Sequence, residues 1–236
     1  MKFVYILLCL IAMIYFITIP SLFSNGKISV ADLISLLSVI PLVIIALFQE
    51  HFKRWFYAPK LEIQFRLEPP YCSKSPFYTF VENKVTLSTE AYYFRIRVVN
   101  KGRSSAKLCE VVMTELLVEY GKGFRPVEYS QQVNLKWDTG KTKDAYITLN
   151  PSPVGMLCDI GYISKDYEPT LFHLEYLYKI GGYQPDYLGY KTRYRFSIGV
   201  ISENAKFITK SFEFCWSGVW RDTEEEMFKE ISIKEV

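Results

Sequence analysis

The sequence predicts a mainly β protein: a two-helix transmembrane hairpin over residues 1–56, then an antiparallel β-sandwich or barrel over 57–236 ending in a short helix. Three observations carry this prediction. Two apolar runs, Phe3–Ile19 and Val30–Phe48, flank a short polar turn. From Lys60 onward the apolar period changes from helical to two. Turn-forming clusters then divide the chain into short segments without helices between them.

Each apolar run approaches the roughly 20 residues a helix needs to cross a hydrocarbon core of ~30 Å. The expected helices lie at about 3–19 and 30–48. The first carries no charge, and the second carries only Asp32, which sits with Ser29 at the helix start as a capping box facing the positive end of the dipole. Pro41 predicts a bend. A cleaved signal peptide is the alternative for the first run, but the block is long for such a segment and no Ala-x-Ala pattern closes it.

Lys53, Arg54 and Trp55 follow as an interfacial belt. With Lys2 they outweigh Lys27 in the turn. The positive-inside bias therefore places both ends, and the large domain, on the cytoplasmic side of an inner or plasma membrane, with the lipid bilayer as one partner.

Charge narrows the function classes. The chain holds 28 Lys and Arg against 25 Asp and Glu. Residues 1–56 take four of the former and two of the latter, leaving 24 against 23 beyond them. A nearly neutral domain has no general attraction for a nucleic-acid polymer. The five cysteines show no Cys-x-x-Cys or comparable spacing.

In order, Leu61, Ile63, Phe65 and Leu67 alternate with polar residues and predict a strand that Pro69-Pro70 ends. Tyr92–Asn100 puts Phe94, Ile96 and Val98 on one face and Arg95 and Arg97 on the other. Ala106–Tyr120 is a long, largely apolar strand, and Gly121-Lys122-Gly123 breaks it. Gln132–Trp137, Ala145–Leu149, Gly155–Ile163, Leu171–Ile180, Tyr190–Ile201 and Lys206–Trp216 follow the same rule. Near the end, Asp222–Lys229 predicts a helix capped by Thr223, with three glutamates in its first turn.

The segment Val98–Val111, with Asn100-Lys101-Gly102 at its turn, resembles the strand–Asn-x-Gly–strand hairpin of bacterial and archaeal immunoglobulin-like adhesion-type sandwiches. The resemblance implies an immunoglobulin-like β-sandwich of the kind found in membrane-anchored prokaryotic proteins. It implies no active site. The inter-sheet cysteines and tryptophan of the antibody-type pattern have no clear counterparts here.

Chemistry is sparse. The two histidines are His51, in the basic belt, and His173, flanked by apolar residues and expected to be an ordinary strand residue. Neither belongs to a triad or to metal-ligand spacing, so no enzyme and no cofactor is expected. Gly140-Lys141-Thr142 imitates the tail of a phosphate-binding loop, but Leu135 stands where that motif needs glycine.

Two Arg-x-Arg strands, Arg95/Arg97 and Arg193/Arg195, would form an anion-gripping patch if they were neighbours. Otherwise they pair across strands with carboxylates such as Glu62, Glu68, Glu110 or Glu115. A tyrosine-dense stretch includes Tyr183, Tyr187 and Tyr190; large, rigid tyrosines suit recognition loops. The candidate ligand- or partner-binding residues are therefore Tyr183, Tyr187, Tyr190, Arg193, Arg195, Arg95 and Arg97.

The expected function is a membrane-anchored, non-enzymatic binding or sensing module that holds a protein partner or small ligand at the inner membrane face. The alternative is a membrane-disrupting effector, similar in architecture to antiphage signalling effectors. Its β-domain would bind a nucleotide signal, and its helices would assemble as a homo-oligomer.

Overall fold

A computed structural model of the chain describes residues 42, 49, 56–81, 84–127, 132–138, 145–165, 171–177 and 186–236, with backbone alone at 79–81 and 84–88. The chain divides into two compact units, Met1–Phe56 and Tyr57–Val236, and every described strand belongs to the second.

Fourteen strands are described: β1 (Leu61–Gln64), β2 (Cys72–Val81), β3 (Lys84–Asn100), β4 (Ala106–Tyr120), β5 (Gly123–Pro126), β6 (Val133–Asn134), β7 (Lys136–Trp137), β8 (Ile147–Leu149), β9 (Ser152–Ser164), β10 (Phe172–Leu174), β11 (Tyr187–Leu188), β12 (Arg193–Ile201), β13 (Ile208–Trp216) and β14 (Ile231–Glu235). One short helix, α1 (Glu224–Met227), lies between β13 and β14.

Among the described residues the strands form two antiparallel seven-stranded sheets. In sheet one, β1 and β2 lie end to end along one edge of β3. On the other edge of β3 comes β9, followed by β7 and β10 end to end along it, then β11 beside β10. Sheet two runs β14-β13-β12-β4, with β5, β6 and β8 distributed along the free edge of β4. The chain crosses from sheet two to sheet one within a single residue, Leu135, between β6 and β7.

Period-two alternation builds the core. Tyr92, Phe94, Ile96 and Val98 of β3 are buried, as are Phe196, Ile198 and Val200 of β12 and Phe212, Phe214 and Trp216 of β13. The two inner faces meet directly: the ring centroids of Phe172 and Phe214 are 4.5 Å apart, and those of Phe65 and Phe212 are 5.8 Å apart. Each such buried ring contributes roughly 1.5–3 kcal/mol of transfer free energy. The architecture is a β-sandwich.

The Asn100 turn joins the sheets. Buried Asn100 accepts from Lys60 N at 3.1 Å and Gly102 N at 2.9 Å, and donates to Ser104 O at 2.8 Å and Leu149 O at 2.9 Å. One amide thus satisfies backbone groups from the entry to β1, the β3–β4 turn and the end of β8.

Several expectations need correction. The two-helix transmembrane hairpin is not seen: among the described residues no helix is long and apolar enough to cross a membrane. α1 has four residues, three of them glutamates, against the roughly 20 apolar residues a span requires. The expected helices at 3–19 and 30–48, apart from the isolated positions 42 and 49, lie outside the described residues, as do Lys53, Arg54 and Trp55.

The first strand stops at Gln64 rather than Leu67. No strand is expected between Pro69-Pro70, which ends the first, and Tyr92, yet β2 occupies part of this stretch. Among the described residues it is an edge strand paired only with β3, where the missing N–H of Pro76 is tolerated. The short helix forms as its cap signal requires, with Thr223 Oγ1 accepting from Glu226 N and Met227 buried.

Candidate functional site

The outer face of sheet one carries a row of rings. Because Tyr92 and Phe94 point into the core, Tyr93 between them points outward. Strand register then aligns Tyr93 with Tyr162, Tyr162 with His173, and His173 with Tyr187, across β3, β9, β10 and β11. Tyr93 and Tyr162 have centroids 5.6 Å apart, and Tyr162 and His173 stack at 5.1 Å with planes inclined by 12°. Tyr187 meets His173 edge-on at 6.4 Å, and Phe77 of β2 adds a ring 5.0 Å from Tyr162.

At the β10–β11 end the row opens into a pocket of about 370 Å³. It is lined by Tyr162, His173, Leu174, Glu175, Tyr176, Asp186 and Tyr187. Leu174 N donates to Asp186 O at 3.0 Å, tying the two sides together. Tyr187 is 54% exposed, so the outer rim is open to solvent.

Beside the row lies a charged cluster. Arg95 Nε donates to Asp159 Oδ1 at 2.9 Å and lies 3.4 Å from Asp138 Oδ2, while its guanidinium sits 5.2 Å from the Tyr93 ring centroid. Burial pushes the Asp159 carboxyl up to about 6, against the opposing pull of Arg95. Burial, reinforced by Glu175 and Asp159, pushes the Tyr93 phenol up to about 12. The Tyr176 phenol is also raised, first by burial and then by Asp186.

The expected binding residues divide between two sheets. Tyr187 belongs to the aromatic row, and Arg95 to the cluster beside it. Arg97 is on the same sheet toward the β1 edge, with its guanidinium 4.8 Å from the Tyr71 ring centroid. Arg193 and Arg195 are on β12 of sheet two, so the four arginines do not form one patch. Arg193 is ion-paired with Glu119, and Arg195 Nη2 donates to Glu213 Oε1 at 2.6 Å while its guanidinium lies over Phe124. The cross-strand pairing expected of solvated arginines thus occurs, with different carboxylates. Tyr190 packs over Gly218. Tyr183 lies outside the described residues, as does the Gly140-Lys141-Thr142 segment.

Sequence reasoning missed Tyr93, Tyr162 and His173 as members of one surface. The available signal was alternation, which exposes Tyr93. Register between distant strands is what gathers the rest.

Nucleophile and metal chemistry find little footing here. Burial raises the thiols of Cys72, Cys109 and Cys158, which suppresses thiolate formation. Among the described residues no three or more His, Cys, Asp or Glu side chains are grouped to hold a metal ion. Comparison with family models, with curated proteins and with solved structures finds no match for this chain.

Proposed function

We propose that residues 57–236 form a non-enzymatic binding module whose recognition surface is the outer face of sheet one. One observation carries this: Tyr93, Tyr162, His173 and Tyr187 fall in a single row on four neighbouring strands and lead into a pocket at the row's end. Rigid rings on a sheet offer contact area at little entropic cost. A pocket of this size, lined by aromatic and acidic residues, suits a small ligand or a single side chain of a partner.

Association with the inner face of a membrane belongs to the same proposal and is supported by sequence alone: the apolar composition of residues 1–48 for the membrane, and the positive charge of Lys2, Lys53 and Arg54 for its side. Kinship with immunoglobulin-like sandwiches is supported by the Asn100 hairpin and the two-sheet architecture.

The test uses the full chain in maltoside detergent, with fluorotyrosine labels assigned by single Tyr→Phe changes. A panel of aromatic, cationic, anionic and sugar probes is screened by fluorine NMR. Saturable shifts confined to Tyr93, Tyr162 and Tyr187 are expected. Shifts confined to tyrosines of sheet two, or none with any probe, would overturn the proposal.

A further inference from the structure

We infer that the end of the sandwich where the chain enters β1 lies against an anionic lipid surface. This rests on the proposed membrane association and names the part of the domain that touches lipid.

Four segments are tied together at this end. Ser104 Oγ donates to the carbonyl of Tyr57, and Lys101 N donates to Lys60 O at 2.8 Å. Ser105 Oγ donates to Asn150 Oδ1 at 2.8 Å, and Asn204 Nδ2 donates to Ser105 O at 3.0 Å. The entry to β1 and the β3–β4, β8–β9 and β12–β13 turns therefore make one surface. It carries Lys60, Lys101, Arg103, Lys107 and Lys206, all exposed, against Glu203 as the single exposed carboxylate of residues 57–60, 101–108, 150–155 and 202–207. Lys101 pairs with Glu62 at 2.5 Å, and no carboxylate pairs with the other four among the described residues. The domain as a whole is nearly neutral, so this positive charge is a local concentration.

Apolar side chains stand among these cations. Leu108 is 55% exposed with a φ of 48°, at the register irregularity between Ala106 and Cys109 of β4. Left-handed backbone is costly for leucine, and here it accompanies an apolar side chain turned to solvent. Val154, 68% exposed, sits in another irregularity, where β9 meets β3 between Val98 and Asn100. Tyr57 is 59% exposed and follows closely in sequence on Lys53, Arg54 and Trp55. A soluble polyanion would meet the cations but leave these three residues in water. A bilayer interface supplies phosphates for the cations and an amphipathic layer for the apolar groups. Only eight residues, 49–56, separate Tyr57 from the apolar stretch that ends at 48, so the membrane proposed for that stretch is within a short tether of this end.

The experiment places the full chain in nanodiscs of phosphatidylcholine, alone or with about one-third phosphatidylglycerol, and follows amide exchange by mass spectrometry. In the anionic discs, exchange at residues 101–108, 150–155 and 202–207 should slow by about threefold or more, and high salt should reverse this. Residues 222–230, around the glutamates of α1, should not change. Arg103→Glu combined with Lys107→Glu and Lys206→Glu should abolish the slowing, while exchange across β12 and β13 stays as in the wild type. Equal exchange in the two discs, slowing confined to 222–230, or slowing that survives the triple variant would overturn the inference. If the chain still floats with vesicles of both compositions, the membrane proposal survives that failure. If it floats with neither, both fall.

Discussion

Arg95 and Asp159 face each other across β3 and β9 with Nε and Oδ1 2.9 Å apart, yet the carboxyl is raised rather than lowered. The side chain of Asp159 is only 9% exposed, and its loss of hydration outweighs the attraction of one guanidinium. Asp138 and Glu175 add to the rise.

That balance sets a pH dependence. With a folded value of about 6 against an ordinary 3.8, the native state holds the Asp159 proton more tightly than the unfolded chain. The group's stabilising contribution is therefore complete below about pH 3.8 and is lost as pH rises through about 6. Asp159→Asn should flatten the stability profile between these limits by about 1–3 kcal/mol, measured by urea unfolding at a series of pH values. An unchanged profile would show that the carboxyl does not titrate there.

Replacing Asn100 with alanine removes four hydrogen bonds at once and takes this partner from the buried Leu149 carbonyl and from three part-buried backbone groups. A loss of about 3–5 kcal/mol is expected in urea unfolding. A loss below about 1 kcal/mol would mean that water substitutes for the amide.

Gly102 is held by close approach. A Cβ there would lie 2.5 Å from Ala58 O and from Lys60 N. Gly102→Ala should cost about 1–3 kcal/mol and loosen the start of β1, seen as faster amide exchange at Lys101, whose N–H bonds Lys60 O. Protection equal to wild type would exclude this.

The two faces should separate in binding assays. Tyr187→Ala should weaken probe binding at the pocket by about fivefold or more, with stability unchanged within about 0.5 kcal/mol because the ring is mostly exposed. Arg193→Ala, on sheet two and paired with Glu119, should leave probe binding intact. Loss of binding in the Arg193 variant with the fold retained would move the site to the other face.

Among the described cysteines, half-buried Cys215 should react with iodoacetamide at neutral pH at least roughly tenfold faster than buried Cys72, Cys109 and Cys158. Peptide mapping of the native protein reads this directly. Comparable labelling of Cys158 would show that sheet one opens.

Much of this protein is encoded locally. A long, largely apolar run between the Asn100-Lys101-Gly102 and Gly121-Lys122-Gly123 turns marks β4 with the bounds Ala106–Tyr120, and period-two alternation turns Arg95 and Arg97 outward. The Thr223 cap and its following glutamates mark the short helix. These signals persist because side-chain direction and capping depend on near neighbours in the chain. Sheet membership does not. Arg95 and Arg193 occupy similar Arg-x-Arg strands, but β3 pairs with β9 and β12 pairs with β4, so only long-range pairing separates them. The aromatic row has the same origin. Tyr93, Tyr162, His173 and Tyr187 come from four strands, and no local pattern links them. Hydrogen-bonded register, set by which hydrophobic faces can be buried together, is what brings them side by side.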